Sequence, residues 1–380
     1  MHKFILPDDN NFVQLAKVQR ASKTLYCAGL DPHSFGSFSK NVEIYKFDNG
    51  CAESYSFYEK AADLAGVRKG QVHHFAGMLS AVEMYQFNIV DILVKKCNVR
   101  VFKPQYSFYE QFGPVGSLML QRIRNYIRKL EEELNIRLIC ILDCKRGDIA
   151  TTQSGYFTGL MGNMSAWGVN YTPYDFDIIN VTPWMGGDVM VLGEKDNPGT
   201  GLELMRQGKG IIGVNKTSNP SGPDYQELLV PSRNLTVQMS HVQDSAVWSR
   251  EFNLETDGLS IIGLVVGSTH PCDGSIRRMF PSTTLLVPGF GAQGGKFNRI
   301  MLELIREGKW NGQGAIFSSS RGTLYPFLEK LGGSGKRKNL EDDLIKAISI
   351  FRKQEEEAYN AADVVDAGII YPFHETLMAA

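Results

Sequence analysis

Residues 137–152 read RLICILDCKRGDIATT, an apolar run that ends in alternating acidic and basic side chains. The run predicts a buried strand. Residues two apart on a strand point the same way, so Asp143 and Lys145 share one face at its end. Asp148 follows a glycine and Thr152 lies four residues further on, so both can face one side of a first helical turn. Charges buried there are costly unless paired, which indicates either a structural ion pair or a functional site.

Seven more runs of this kind occur along the chain, and stretches with helical periodicity separate most of them. The eight runs are residues 24–31, 99–105, 137–145, 176–182, 208–215, 259–267, 283–291 and 314–321. Continuous apolar strands that alternate with helices predict a parallel sheet covered on both faces. Eight such units predict an α/β protein with a (β/α)8 TIM barrel, and a doubly wound open sheet is the alternative.

The composition narrows the class of protein. The chain has 40 basic and 41 acidic residues, and a net charge this close to zero favours neither nucleic acid nor a membrane surface as partner. The six cysteines form no CxxC pair, as is typical of reduced core cysteines in a reducing compartment. The first residues, MHKFILPDDNNF, lack a signal-peptide core, and no apolar run is long enough to span a bilayer. We expect a soluble, cytoplasmic protein.

One unit departs from the regular spacing, because residues 32–98 separate the first two strands. Within this insertion, residues 52–66 and 76–96 are predicted to form helices. Residues 332–339, GGSGKRKN, predict a flexible basic loop before the last helix. Its GSGK lacks the spacing, the preceding strand and the following Ser or Thr of a phosphate-binding loop. We predict a single domain over residues 1–380 with a helical insertion.

Two further strand ends carry charge. The segment FKPQ places Lys103 and Gln105 on one face after the second strand, and Asp31 ends the first. The C-terminal ends of barrel strands meet at one mouth, where the active sites of such barrels lie. Asp31 and Lys103 would then join Asp143 and Lys145, two anions with two cations. Clusters of that kind have perturbed pKa values and are candidates for function.

The last two strands indicate an anion site. The glycines of VPGFGAQGG, residues 287–295, let backbone N–H groups face outward, and SSSRG, residues 318–322, adds Arg321. Loops after the seventh and eighth strands are where such barrels bind phosphate. The two segments together predict a phosphate-binding site.

The segment DCKRGDIATT resembles the Asp-x-Lys-x-x-Asp signature of the orotidine 5'-phosphate decarboxylase family. The segments GLDPHS, FKPQYSFYEQFG, TSNPSG, VPGFGAQGG and SSSR are similar to the branch of that family with a longer insertion after strand one. The resemblance runs from about residue 24 to 325 in consistent order. The hexulose-phosphate synthases share the signature, but they are shorter barrels.

The resemblance implies conversion of orotidine 5'-phosphate to uridine 5'-phosphate (UMP) and carbon dioxide, the last step of pyrimidine synthesis, without metal or organic cofactor. It implies that Lys145 protonates C6, that Asp143 lies near the scissile carboxylate, and that Lys103 holds Asp143 and a ribose hydroxyl. Asp148, also in the catalytic set, and Thr152 are implied to reach across a homodimer interface into the partner's site. The substrate-binding set is Asp31, Gln105, Ile149, Thr152, Thr182, Gln293, Gly294, Ser320 and Arg321. Some relatives are fused to orotate phosphoribosyltransferase, so association with that enzyme is a further expectation.

Other classes of function remain as alternatives. A lysine on a barrel strand also suits a Schiff-base aldolase, and trapping with borohydride would identify one. A nucleotide-binding barrel without catalysis would not need the full Asp143, Lys145, Asp148 and Thr152 set. The segment GVNKTS, residues 213–218, lacks the final acid of a guanine-binding motif. The pair His73 and His74 lacks further ligands at the spacing of a metal site.

Overall fold

Eight parallel strands close into a barrel in the computed structural model, which describes residues 7–33, 52–190, 192–194, 197–269, 273–289 and 314–359. The barrel strands, numbered in chain order, are β1 (Tyr26–Gly29), β2 (Val101–Lys103), β3 (Ile139–Arg146), β4 (Ile178–Val181), β5 (Gly210–Lys216), β6 (Ile262–Val266), β7 (Leu285–Pro288) and β8 (Ala315–Ser319). Each pairs in parallel with its neighbours along the chain, and β1 closes the barrel against β8. This arrangement confirms the predicted (β/α)8 TIM barrel, and each predicted run overlaps one strand.

The strands are apolar because both of their faces are covered. Residues 139–142 of β3 are fully buried, since alternate side chains fill the barrel interior or pack under the surrounding helices. Cys27 in β1 and Cys140 in β3 are buried free thiols, as are Cys97 and Cys144. Cys51 and Cys272 lie outside the described residues.

The helices surround the barrel, and one of the clearest is a 21-residue helix before β3. They are α1 (Asn11–Ser22), α2 (Ala52–Leu64), α3 (Lys69–Lys95), α4 (Ser107–Glu110), α5 (Pro114–Leu134), α6 (Ala150–Leu160), α7 (Gly187–Met190), α8 (Thr200–Arg206), α9 (Pro223–Gln226), α10 (Val237–Glu251), α11 (Ser275–Met279), α12 (Arg321–Leu324) and α13 (Leu340–Tyr359). Helix α5 begins with a proline, whose fixed φ suits a first turn, and ends where Asn135 takes a left-handed φ of 49°. Its Met119, Ile123 and Ile127 recur at helical spacing and are buried against the barrel.

The described part of the insertion after β1 contains α2 and α3, which overlap the two predicted helices. Helix α3 begins at Lys69, seven residues before the predicted start, because the polar first turns carry no apolar periodicity. A fully buried carboxylate, Glu83, joins the insertion to α5. It accepts hydrogen bonds from Ser54 (2.7 Å) and Tyr58 (2.6 Å) and a two-pronged contact from Arg122 (2.6 and 3.0 Å).

Several short elements were not predicted. Four antiparallel hairpins pair Met164–Ala166 with Val169–Tyr171, Gly193–Glu194 with Asn197–Pro198, Leu229–Val230 with Leu235–Thr236, and Glu255–Thr256 with Leu259–Ser260. Single 3-10 turns span Pro183–Met185, Glu329–Leu331 and Arg337–Asn339, the last within the predicted loop 332–339. In that loop Ser334 donates to Asp343 of α13 at 2.5 Å. Among the described helices, none combines the length and the apolar character needed to cross a membrane.

Candidate active site

A cavity of about 300 Å³ opens at the C-terminal ends of the barrel strands. This is the end at which the sequence places its charged residues, and each of the eight strands or its C-terminal tail contributes to the wall. The lining residues are Asp31, His33, Lys103, Phe108, Asp143, Lys145, Asn180, Val214, Thr217, Ser218, Val265, Leu286, Pro288, Gly289, Ser318, Ser320 and Arg321. The four residues of the predicted charge cluster are all among them.

Asp143 is the centre of the cluster. Its Oδ2 lies 2.9 Å from Lys103 Nζ, and its Oδ1 lies 2.5 Å from Lys145 Nζ and 2.7 Å from Asn180 Nδ2. Burial on its own would raise the pKa of the Asp143 carboxyl, but Lys103 and Lys145 outweigh it and hold the pKa well below its usual range. Asp143 is therefore an anion throughout the neutral pH range.

Lys103 stands at the end of β2 and is only 3% exposed. Burial alone would lower the pKa of this ammonium, but the charges of Asp143 and Asp31 outweigh it and raise the pKa above its ordinary value. A buried cation between two carboxylates is fixed in place. It can orient Asp143 and still present a proton to a ligand hydroxyl.

Lys145 differs from Lys103 in being accessible from the cavity. Its side chain is 45% exposed although it contacts Asp143. Its backbone has a φ of 46°, a left-handed value that is uncommon for a residue with a side chain. The side chain of Asn180 accepts a hydrogen bond from the Lys145 N–H at 2.8 Å, which helps to hold that conformation. An ammonium at an open position beside a fixed carboxylate can deliver a proton to a bound substrate.

Asp31 joins the first and last strands at the mouth. Its Oδ1 accepts from the backbone N–H of Gln105 at 3.0 Å, and its Oδ2 accepts from Ser320 Oγ at 2.5 Å. The close approach of Ser320 requires glycine in β1, since a Cβ at Gly29 would lie 2.8 Å from Ser320 Cα. Asp31 is thus held by two donors on either side of β1.

The predicted anion site is described in part. Arg321 opens α12 directly after β8 and lines the cavity together with Ser318, Ser320, Pro288 and Gly289. Gln293 and Gly294, the other members of this predicted site, lie outside the described residues. Arg321 therefore brings a guanidinium to the side of the cavity that the seventh and eighth strands form.

Two predicted substrate contacts are turned away from the cavity in this structure. The Gln105 side chain accepts from the backbone N–H and the hydroxyl of Ser107, both at 2.6 Å. Thr182 Oγ1 donates to the backbone oxygen of Lys145 at 3.4 Å. Both side chains bond to neighbouring protein groups, and a direct contact with substrate stays a prediction for each.

Asp148, Ile149 and Thr152 lie beside the mouth, on the loop after β3 and the first turn of α6. The Asp148 side chain accepts from the backbone N–H of Ile149 at 2.7 Å, and its own N–H donates to Gln153 at 3.1 Å. Ile149 is half exposed, and Thr152 is exposed. None of the three is among the residues that line the described cavity of their own chain.

Sequence reasoning missed several residues of the cavity wall. Asn180 is the one polar residue of β4, and a polar residue within so short an apolar strand was the signal that could have found it. Thr217 and Ser218 follow β5 in the segment TSNPSG, which the family resemblance includes but to which no role was assigned. His33 packs against Phe108 with ring centroids 4.5 Å apart, and both line the mouth.

Comparisons with known proteins show a family and several relatives that this chain resembles. A sequence model described as the orotidine 5'-phosphate decarboxylase / HUMPS family matches residues 88–322. The orotidine 5'-phosphate decarboxylase of Caldicellulosiruptor bescii is 30% identical over 267 residues, which are 70% of this chain and 78% of the relative. That of Rhodopirellula baltica is 32% identical over 250 residues, 65% of this chain and 75% of the relative.

A solved structure supports the fold. The orotidine 5'-monophosphate decarboxylase of Plasmodium berghei superposes with a TM-score of 0.61 over 93% of this chain and 98% of its own, at 16% identity. The family match covers well over half of the chain and contains Lys103, Asp143 and Lys145. This chain belongs to the orotidine 5'-phosphate decarboxylase / HUMPS family.

Proposed function

We infer that the protein decarboxylates orotidine 5'-phosphate to UMP and carbon dioxide, and that Lys145 supplies the proton that replaces the carboxylate at C6. The observation that carries this proposal is the charge array at the barrel mouth, in which Asp143 lies between the buried Lys103 and the accessible Lys145. The family supports the overall reaction, and the array supports the proposed roles of Lys145 and Asp143 in it.

Loss of carbon dioxide from C6 leaves a carbanion in the plane of the pyrimidine, where the ring π system cannot absorb it. Catalysis of such a reaction requires the barrier to fall by roughly 20 kcal/mol. Lys145 is an accessible cation that can stabilise the developing charge and then protonate it. Asp143 stays ionised beside the departing carboxylate, so the repulsion between the two anions is relieved as carbon dioxide leaves.

The remaining cavity residues fit the rest of the nucleotide. Asp31 and Lys103 are a fixed acceptor and a fixed donor for ribose hydroxyls. Arg321 lies at the phosphate end, where its planar guanidinium can contact two phosphate oxygens. Gln293 and Gly294 belong to the same proposed phosphate site. Binding energy gained at the phosphate, far from C6, can be used to orient the ring at Lys145.

A second copy of the chain completes the site in this proposal. Asp148 is partly exposed, and Ile149 and Thr152 are exposed, beside the mouth of their own barrel, where a partner chain could contact them. The hairpin that follows α6 exposes large apolar side chains, of which Trp167 is fully exposed and Val169 and Tyr171 are more than half exposed. Exposed apolar groups of this size mark interaction surfaces. Sedimentation analysis checks for the dimer, and co-elution checks the predicted association with orotate phosphoribosyltransferase.

The function is tested by mixing purified protein with orotidine 5'-phosphate and following the ultraviolet absorbance of the pyrimidine, with and without a metal chelator. We expect the same rate of absorbance loss in both samples. An unchanged spectrum would contradict the proposed function. Activity that the chelator removes would instead favour metal-dependent chemistry, as in the synthase relatives, and borohydride inactivation with a carbonyl substrate would favour a Schiff-base aldolase.

A further inference from the structure

Asn180 is a buried polar residue that the reaction described above does not use. It is 1% exposed and precedes the last residue of β4, between two apolar neighbours. Both ends of its amide are hydrogen-bonded. Its Nδ2 donates to Asp143 Oδ1 at 2.7 Å, and its Oδ1 accepts from the backbone N–H groups of Cys144 and Lys145, both at 2.8 Å.

The partners of this amide fix its orientation. The ionised Asp143 carboxylate can only accept hydrogen bonds, and backbone N–H groups can only donate them. A flipped amide would place an oxygen against Asp143 and an NH₂ group against two N–H donors. The arrangement therefore suits asparagine at position 180, whose amide carries a donor and an acceptor on one rigid plane at every pH.

Asn180 also occupies a break in the barrel ladder. Leu142 of β3 pairs with Ile179 of β4, and the next pair is Arg146 with Val181. Three residues of β3 thus face one residue of β4, which is an irregularity of the bulge type. The N–H groups of Cys144 and Lys145 lie in this bulge. Asn180 Oδ1 accepts a hydrogen bond from each, in place of the backbone carbonyl that would accept in a regular sheet.

The bulge is where Lys145 acquires its left-handed φ of 46°. A backbone conformation of that kind is strained for a residue with a side chain and persists only when the surroundings impose it. Bulges next to active sites re-aim a side chain away from the direction that regular pairing would give it. The Asn180 side chain therefore contacts both the Asp143 carboxylate and the backbone of the bulge at Lys145.

We propose that Asn180 is a positioning residue for decarboxylation, whose amide holds the β3 bulge that aims Lys145 at the substrate and fixes the oxygen of Asp143 that faces Lys145. The proposal rests on the proposed function. Asn180 acts through these two residues and transfers no proton to the substrate itself. Its loss should therefore reduce turnover and leave nucleotide affinity nearly unchanged.

The variant Asn180→Asp keeps the size and shape of the side chain and removes its hydrogen-bond donor. A carboxylate still accepts from the two backbone N–H groups, but it cannot donate to Asp143. It also adds a second anion about 2.7 Å from the first, in a cluster that already contains Asp31, Lys103 and Lys145. Two carboxylates so close cannot both ionise easily, and because Lys103 and Lys145 keep Asp143 ionised, the pKa of the introduced carboxyl is raised. We expect kcat to fall about 100-fold once both carboxyls are ionised, with KM changed less than about threefold.

The pH profile is the readout that a merely structural role would not change. The wild-type protein should show no limb from Asp143 near neutral pH, whereas Asn180→Asp, whose carboxyl can donate to Asp143 only while it is protonated, should gain a limb along which kcat falls as pH rises. The matched control is Asn215→Asp, which buries a carboxylate near the end of β5. Asn215 is 4% exposed, contacts His241 and does not line the cavity. We expect the control to keep the wild-type profile.

The second variant, Asn180→Ala, removes both halves of the amide without adding charge. It should also lose about 100-fold in kcat, bind UMP as the wild type does, and show no new limb in its pH profile. Wild-type kcat in both variants of Asn180 would overturn the inference, as would equal losses in Asn180→Asp and Asn215→Asp without a change of profile. If Asn180→Asp does not fold, Asn180→Ala alone decides by its kcat and UMP affinity. An inactive wild-type protein would instead reject the proposed function.

Discussion

Lys145 Nζ lies 2.5 Å from Asp143 Oδ1, although the two side chains leave β3 only two residues apart. The contact keeps a cation and an anion together at the open side of the barrel mouth.

If Lys145 acts mainly on the transition state, Lys145→Ala should abolish turnover and leave UMP binding within a few-fold of wild type. Single-turnover kinetics and calorimetric titration with UMP measure the two quantities. Lys129→Ala, at an exposed lysine of α5, is the control. A variant that only raises KM would contradict the proton-donor role.

Arg321 is expected to recognise the phosphate. Arg321→Ala should weaken the binding of UMP by about 2 to 3 kcal/mol, roughly 100-fold, and leave the weak binding of uridine unchanged, because only the nucleotide offers an anion to the guanidinium. Titration of both ligands into both proteins measures the difference. Arg278→Ala, at an exposed arginine of α11, is the matched control. Equal losses for UMP and uridine would remove Arg321 from the phosphate site.

The charge cluster could be predicted because strand periodicity and barrel geometry are both regular. Period two placed Asp143 with Lys145, and the common mouth of the barrel brought in Lys103 and Asp31. The Gln105 backbone still pairs with Asp143, but its side chain accepts from Ser107 in the turn that follows and does not line the described cavity, so its contact with substrate stays a prediction.

The β3 bulge explains one failure. In regular pairing Asn180 would be a single buried amide within β4, and Thr182 at the strand end would be the residue expected to contact the substrate. Three residues of β3 facing one of β4 bring Asn180 to Asp143, and a register shift of this kind leaves no mark on either sequence. The hairpin strands of two or three residues were missed because they are too short to show a period.

The buried Glu83 should be essential for the stability of the insertion. Glu83→Ala leaves Arg122, Tyr58 and Ser54 without their common acceptor, and loss of one partner from a buried charge network costs about 3 kcal/mol or more. Chemical denaturation followed by circular dichroism measures the free energy of unfolding. The control Glu357→Ala removes an exposed acid from α13 and should change that energy by less than about 0.5 kcal/mol. Similar losses in both variants would show that Glu83 is not a structural centre.

Glu355 should make stability depend on pH. Burial raises the pKa of this carboxyl to about 7, against the opposing effect of hydrogen bonds from Thr24 Oγ1 (2.9 Å) and the Leu25 N–H (3.1 Å). The folded state therefore binds a proton that the unfolded state has lost between about pH 4.5 and pH 7. This contribution to stability is complete below pH 4.5 and lost as pH rises through 7.

The variant Glu355→Gln stays neutral at every pH and isolates that contribution. Between pH 4.5 and 8, the wild type should lose up to about 3 kcal/mol of unfolding free energy relative to the variant. Denaturation curves of both proteins at a series of pH values measure the difference. A difference that stays constant across this range would show that Glu355 does not titrate between the folded and unfolded states as its burial implies.

Asp148 tests whether two chains share one active site. Asp148 is partly exposed and does not line the described cavity of its own chain, so its position would allow a contact with a partner's site across a twofold axis. Lys145→Ala and Asp148→Asn proteins should each be inactive. If the site is shared, a mixed dimer carries both lesions in one site and neither in the other. Random exchange at equal concentrations makes half of the dimers mixed, so activity should recover to about a quarter of wild type. Exchange is verified with differently labelled chains, and a labelled mixture that stays inactive would mean that Asp148 serves the site of its own chain.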